Sequence, residues 1–245
     1  CCQQAPTMAH NGDGAPWVKW LQDEIWQKHM DCMNELLAGG YLSDGEVIET
    51  FKKSLESGIG KINEVLDVAW LTKECPKSLR DVVMGYGEVW SSQILAAILE
   101  GPKGVQTLSY RCNSGGWINA RDFLYVTHTC VENVDRTDVS WDKSRGILTD
   151  MLQTKDCGVG VVTGFIATDE DGDRPSTLRR NGSDHSAAIV SGLVYAKELT
   201  IWTDVDGVYS ADQMDKYKNV GVKGRLPPYV QFITVCPPVF RVAVH

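Results

Sequence analysis

The sequence predicts an α/β domain with a mainly parallel sheet covered on both faces, entered through a first hundred residues that are mostly helix. Three observations predict it. Apolar residues recur at three- and four-residue spacing from Trp17 to Leu37, and helical patterns continue to Glu100. The character changes after Gly101-Pro102, where short β-prone runs take over. From Val159 onward a strand pattern, a polar turn, a helix pattern and a second strand pattern follow one another, the alternation of a parallel α/β sheet.

Residues 1–16 read as an irregular lead-in with Pro6, Gly12, Gly14 and Pro16. In the first helix Trp17, Trp20, Leu21, Ile25, His29, Cys32, Met33, Leu36 and Leu37 keep the helical spacing, and Gly39-Gly40 ends it. Ser43 is expected to cap the next helix, with Glu46 three residues on as its capping-box partner. Helices are then expected over Asp44–Ser57, Ile59–Thr72 and Lys77–Glu100, and Gly85-Tyr86-Gly87 is the place where a break in the last would fall. Val105–Leu108 is expected as a short strand, Gly115-Gly116 as a turn and Asp122–Val126 as another strand. Residues 132–145 are polar and read as a loop followed by a short helix. Val159–Ile166 is apolar on both faces and reads as a buried strand. Asp169-Glu170-Asp171-Gly172-Asp173 follows as a turn, Ser183–Lys197 as a helix and Leu199–Thr203 as a strand. The last segment, Val220–His245, carries Pro227-Pro228 and Pro237-Pro238 and shows no helical period. It reads as extended or irregular, with a strand at Tyr229–Val235.

Bulk composition narrows the function classes. A chain of 245 residues suits one large α/β domain or two small ones, and either buries a real core. The formal net charge is -8 and no basic patch is visible, which argues against a nucleic-acid partner. The longest apolar runs, such as Gly158–Val162, are strand length, so no membrane span is expected. Eight Cys are scattered with no C-x-x-C pair and no zinc spacing. Their thiols are expected to be reduced, in cytoplasm or plastid stroma and not in a secreted protein. The first residue is Cys1 and no secretory pattern follows it, so a processed or truncated chain is expected.

Three segments carry chemistry. Thr163-Gly164-Phe165 ends a strand, where open α/β sheets bind ligands, and Gly164 lets a ligand approach the backbone. Asn181-Gly182-Ser183-Asp184 opens a helix, whose free N–H groups favour an anion. Arg180 beside it offers a two-pronged clamp for a carboxylate. Thr203-Asp204-Val205-Asp206-Gly207 places two carboxylates and a hydroxyl at a strand end, which suits a nucleotide or Mg²⁺. Together they suggest a site for an anionic substrate next to a nucleotide. Plainer readings stand beside these: Ser183 and Asp184 as helix caps, Arg180 as a solvated arginine, Thr203–Gly207 as a strand-ending turn. Asp169–Asp173 has the look of a calcium loop, but the twelfth position is Arg180 where a bidentate Glu is needed, so it reads as a solvated turn. Asn181-Gly182-Ser183 matches a glycosylation sequon but falls inside the helix-opening segment.

The run from Val161 to Asp212 resembles aspartate kinase, most of all the kinase half of bifunctional aspartate kinase–homoserine dehydrogenases. In that family a Thr-Leu-x-Arg-x-Gly-Ser-Asp element precedes a helix, and a Thr-Ile-Trp-Thr-Asp-Val-Asp-Gly-Val-Tyr element follows it. Thr177–Asp184 and Thr200–Tyr209 match them in order. Gly87-Glu88-Val89-Trp90-Ser91 resembles the family's Gly-Glu-x-x-Ser segment, and Asn119-Ala120-Arg121-Asp122 its Asp-Ala-Arg-Asp segment. The resemblance implies a three-layer αβα sandwich of the amino-acid kinase type, incomplete at its N-terminus. It implies that Glu88, Phe165, Arg180 and Ser183 surround an aspartate substrate, with Arg180 on a carboxylate and Glu88 on the amino group. Asp184 and Arg180 then serve phosphoryl transfer, while Thr203, Asp204, Asp206, Gly207 and Tyr209 form the nucleotide pocket. The implied reaction moves the γ-phosphoryl of ATP, with Mg²⁺, to the β-carboxylate of L-aspartate.

The same resemblance sets expectations through its departures. The 245 residues hold no Lys-Phe-Gly-Gly-Thr-Ser loop, no second Gly-rich phosphate loop and no Gly-Ala-Lys-x-x-His-Pro element, and His245 lacks the context of the last. Asp212-Gln213-Met214 stands where the family has Asp-Pro-Arg. One transition-state donor is worth about a hundred- to a thousandfold in rate, so weak or absent activity is expected of this chain as it stands. The alternative is a non-catalytic, kinase-derived subunit of a larger, plastid assembly, with other protein subunits covering the incomplete sheet. The expected organisation is a lead-in over 1–16, a kinase-like domain over 17–215 and a divergent tail over 216–245.

Overall fold

In the computed structural model the apolar stripe from Trp17 to Leu37 folds as α1 (Pro16–Trp20), a π-helical turn (Leu21–Trp26) and α2 (Gln27–Ala38). The structure describes residues 16–104, 116–131, 134–152, 159–171, 174–178, 182–201 and 241–244. Trp17, Leu21, Met30 and Met33 are buried, and the Trp17 indole N–H donates to Asn63 Oδ1 at 3.1 Å. Gly39-Gly40 ends the helix as expected. The Tyr41 N–H donates to Leu36 O and the Gly40 N–H to Leu37 O, both at 2.9 Å, with Gly40 at φ 70°, a conformation that favours glycine.

The next helix is capped one residue later than expected. Asp44, not Ser43, accepts from the N–H groups of Glu46 and Val47. The two helices expected over 44–72 are one, α3 (Gly45–Thr72). Likewise α4 (Lys77–Glu100) runs unbroken. The glycines that suggested breaks are points of close packing. A Cβ on Gly58 would stand 2.7 Å from Trp90 Cζ2 and 2.8 Å from Tyr86 Cδ1. One on Gly85 would stand 2.8 Å from Ile166 Cγ2 and would overlap the Arg121 guanidinium. By length and composition α4 is the one helix among the described residues able to cross a membrane. It packs against α3 and the sheet strands, with Gly85, Val89, Trp90, Ser92 and Ala96 buried.

The first of two units, Cys1–Gly182, holds two small sheets. β1 (Trp117–Ile118) pairs in parallel with β4 (Val161–Val162). The other sheet has the order β3-β2-β5-β6, from β2 (Tyr125–Val131), β3 (Val134–Val139), β5 (Ile166–Asp169) and β6 (Arg174–Thr177). Its central pair, β2 and β5, is parallel, and each has an antiparallel partner on its outer side. The parallel pair needs a crossover, and α5 (Trp141–Leu152) lies in that connection. Phe123, Leu124, Val126, Ile166 and Ala167 are fully buried at the heart of this unit.

Several expectations change here. The strand expected over Asp122–Val126 begins at Tyr125, because Ala120–Asp122 is a 3₁₀ turn capped by the Asn119 side chain. The expected loop over 132–145 contains β3, which forms a hairpin with β2, before α5 begins. The single strand expected over Val159–Ile166 is two, β4 and β5, in different sheets. Phe165 at φ 68° turns the chain between them, and the Ile166 N–H donates to Gly164 O at 2.8 Å.

The second unit, Ser183–His245, takes up the helix α6 (Gly182–Leu193) and the parallel pair β7 (Glu198–Ile201) and β8 (Arg241–Val244). α6 stops before Lys197 because Tyr195 turns at φ 50° and the Ala196 N–H returns to Ser191 O at 2.8 Å. β8 is a strand in the tail expected to be extended or irregular. The strands expected at Val105–Leu108 and Tyr229–Val235 lie outside the described residues, as do the lead-in up to residue 15 and the end of the strand expected over Leu199–Thr203. The observed architecture is the expected α/β class, and its four-stranded sheet is mixed, with one parallel and two antiparallel pairs.

Candidate active site

Two contacts fix how α4 meets the carboxyl end of β4. Gly85 packs on Ile166, and Ser92 Oγ lies 3.0 Å from Thr163 Oγ1. Glu88 comes three residues after Gly85 and four before Ser92, on the same helix face. Glu88 therefore lies on the face of α4 that meets the segment 163–166, and Gly164-Phe165 falls between that segment's two anchors.

Glu88 is half-buried, and that burial holds its carboxyl above the ordinary value of 4.5. Among the described residues it has no ion-pair partner. A carboxylate that has lost water and gained no cation favours a ligand that brings one.

Phe165 is a bulky residue in the left-handed region, a conformation that costs about 1–2 kcal/mol. Its surroundings hold it there. The Leu178 N–H donates to Phe165 O at 2.7 Å, and the ring packs against the α-carbon of Gly182. A Cβ at position 182 would stand 3.1 Å from Phe165 Cα and would overlap the ring, so the residue that opens α6 must be glycine. This explains the Gly of the Asn181-Gly182-Ser183-Asp184 segment through Phe165.

Ser183 and Asp184 occupy the first turn of α6, Ser183 half-buried and Asp184 exposed. An acid there complements the positive end of the helix, so the capping reading fits as well as a ligand-binding one. Arg180, Thr203, Asp204, Asp206, Gly207 and Tyr209 lie outside the described residues.

The sequence reading missed the place of Arg121. Its guanidinium lies beneath Gly85, one turn of α4 from Glu88, and 6.0 Å from the centre of the Tyr86 ring. Nε and Nη2 are buried with no hydrogen-bond partner among the described residues, and burial lowers the pKa of the group. Burial raises the Tyr86 hydroxyl above 10.0, opposed by the Arg121 charge. The Asn119-Ala120-Arg121-Asp122 motif marked the segment, but no spacing rule places a side chain from one strand end beneath a helix glycine.

A model of the amino acid kinase family matches residues 24–220. The chain belongs to that family. Bifunctional aspartokinase/homoserine dehydrogenase 2, chloroplastic, of Zea mays is 36% identical over 193 residues, 77% of this chain and 18% of that protein. Bifunctional aspartokinase/homoserine dehydrogenase 1, chloroplastic, of Arabidopsis thaliana is 38% identical over 188 residues, 77% of this chain and 19% of that protein. The chain therefore spans about a fifth of the length of these curated relatives, and its likeness is to their kinase half. The crystal structure of Escherichia coli aspartokinase III in complex with aspartate and ADP matches with a TM-score of 0.53 at 23% identity, over 74% of this chain and 37% of that one. That match supports the amino acid kinase fold.

Proposed function

We propose that this chain is an aspartate kinase-like domain over residues 17–215, with a divergent tail over 216–245, that binds L-aspartate and ATP. Glu88 receives the amino group, Arg180 a carboxylate, and Phe165 and Ser183 complete the amino-acid side. Thr203, Asp204, Asp206, Gly207 and Tyr209 hold the nucleotide, and Mg²⁺ accompanies its phosphates. In the reaction a β-carboxylate oxygen of aspartate bonds to the γ-phosphorus as the bond to the ADP oxygen breaks. Catalysis of such a transfer is positioning and charge neutralisation, the role of Arg180 and Asp184. The observations that carry the reading are the half-buried Glu88, without an ion-pair partner among the described residues, on the face of α4 that meets residues 163–166, and the left-handed Phe165, whose ring demands Gly182 at the start of the Ser183-Asp184 helix. The chloroplastic relatives support a plastid location.

A second reading has its own observation. Met214 stands where the family has a phosphate-binding Arg, which favours weak turnover or a non-catalytic role as a subunit of a larger assembly. Trapping aspartyl phosphate with hydroxylamine, from the purified chain with MgATP and L-aspartate, separates the two. Turnover that vanishes in Arg180→Ala establishes the kinase and ends the second reading. A folded chain that binds neither aspartate nor ATP overturns the kinase reading.

A further inference from the structure

The polar cluster between α4, β1 and β4 is assigned no role by the chemistry above. The Trp117 indole N–H lies 2.9 Å from Ser92 Oγ and 3.0 Å from Thr163 Oγ1, and donates to both. The two hydroxyls are 3.0 Å apart. Ser92 Oγ is also 2.7 Å from Glu88 O and 2.9 Å from Val89 O, both within reach of its own proton. Thr163 is fully buried, and its N–H donates to Ile118 O at 3.0 Å. One arrangement of hydrogens satisfies every donor. Trp117 N–H feeds both oxygens, Thr163 O–H donates to Ser92, and Ser92 O–H donates to the Glu88 carbonyl. The alternative acceptor for Thr163, Ile118 O, is farther, at 3.5 Å. The chain of bonds therefore starts on β1 and ends on the backbone of α4 at Glu88 and Val89. Its middle member, Thr163, lies two residues before Phe165.

We infer that Trp117, Ser92 and Thr163 are positioning residues that set the distance between Glu88 and Phe165 and thereby the affinity for the amino-acid substrate. This assignment rests on the aspartate-binding reading above. Its logic is geometric. Glu88 is carried by a helix and Phe165 by the end of a strand, and the cluster is the polar tie between those two elements at that level. β1 is itself fixed by its parallel register with β4, Trp117 opposite Val161 and Ile118 opposite Val162. A buried hydroxyl pair that loses its shared donor rearranges rather than stays unsatisfied, and the turn of α4 bearing Glu88 moves with it.

The experiment is titration calorimetry of the full chain with L-aspartate and separately with ATP, for wild type and three variants, each checked for folding by thermal melting. Trp117→Phe keeps the ring and removes the N–H. Thr163→Val keeps the shape and removes the hydroxyl. Thr163→Ser keeps the hydroxyl and removes the methyl. Trp117→Phe and Thr163→Val are expected to weaken aspartate binding about fivefold, the worth of one hydrogen bond, and to leave ATP binding unchanged. Thr163→Ser is expected to bind aspartate as wild type does. Aspartate affinity unchanged in Trp117→Phe and Thr163→Val, or lowered more in Thr163→Ser than in Thr163→Val, overturns the assignment while the functional reading stands. A folded wild type that takes up no aspartate overturns the functional reading and this assignment with it.

Discussion

In the proposed site Glu88 trades stability for binding. Burial raises its carboxyl above 4.5 in the folded chain, so the folded state holds that proton more tightly than the unfolded state does. The stability it contributes is present below the unfolded value and is lost as pH rises through the raised folded value. At neutral pH the charged form is tolerated rather than favoured, and a ligand ammonium restores the balance. Two outcomes follow for Glu88→Gln. Its Tm at neutral pH equals or exceeds that of wild type. Its affinity for L-aspartate falls about ten- to a hundredfold, the range for hydrogen bonds to charged groups. In wild type that affinity declines as pH drops through the raised range, whereas in Glu88→Gln this decline is missing. Calorimetry from neutral pH down towards 5 measures both, and a Glu88→Gln variant that binds aspartate as tightly as wild type at neutral pH removes Glu88 from the site. Glu88 was legible in the sequence through its Gly-Glu-x-x-Ser likeness. The left-handed turn at Phe165 was not, because nothing in a run of apolar residues marks positive φ on an aromatic side chain.

At the scale of elements, the two long helices carry the same Gly-x-Gly doublet, Gly58-Ile59-Gly60 in α3 and Gly85-Tyr86-Gly87 in α4. In each doublet the first glycine is buried against a neighbour and the second faces open space. Sequence alone cannot separate these cases, since glycine weakens a helix wherever it falls and periodicity does not say which face is crowded. That is why breaks were expected where packing was found. The hairpin strand β3 was missed for a related reason: Val134-Asp135-Arg136-Thr137-Asp138-Val139 is polar in its middle, and its pairing with β2 outweighs its low strand propensity. The doublets give an internally controlled prediction. Gly60→Ala and Gly87→Ala each stabilise by about 0.5–1 kcal/mol, because Ala costs less backbone entropy and meets nothing. Gly58→Ala and Gly85→Ala each destabilise by about 1–3 kcal/mol through overpacking. Urea melts of the four variants, compared at equal m-value, decide it. Equal effects within a doublet contradict the close approach of α3 to α4 or of α4 to Ile166.

For the whole molecule, the α/β class and the family were legible because both rest on long patterns. The helical first hundred residues and the two motif runs flanking α6 survive a one-residue error in any cap. Catalytic competence rests instead on single residues, and there Met214 bears most weight. A nucleotide site that keeps its base- and ribose-facing residues but lacks a phosphate cation gains little from the charged end of ATP. The expected result is that adenosine and ATP raise the Tm of the wild-type chain by similar amounts at equal saturation and require similar concentrations to do so. Replacing the missing charge changes one ligand only. Met214→Arg lowers the half-saturating ATP concentration about ten- to a hundredfold, the range for charge-assisted bonds, and leaves adenosine where it was. L-Aspartate, which in the proposed site meets Glu88 and not position 214, shifts the melt equally in both proteins. Thermal-shift titrations with the three ligands read all of this from one instrument. If wild type prefers ATP strongly over adenosine, another cation of this chain already meets the phosphates, and the weak-turnover reading gives way to a competent kinase. If Met214→Arg tightens adenosine as much as ATP, position 214 lies away from the phosphates, and its likeness to the Asp-Pro-Arg element carries no information about rate.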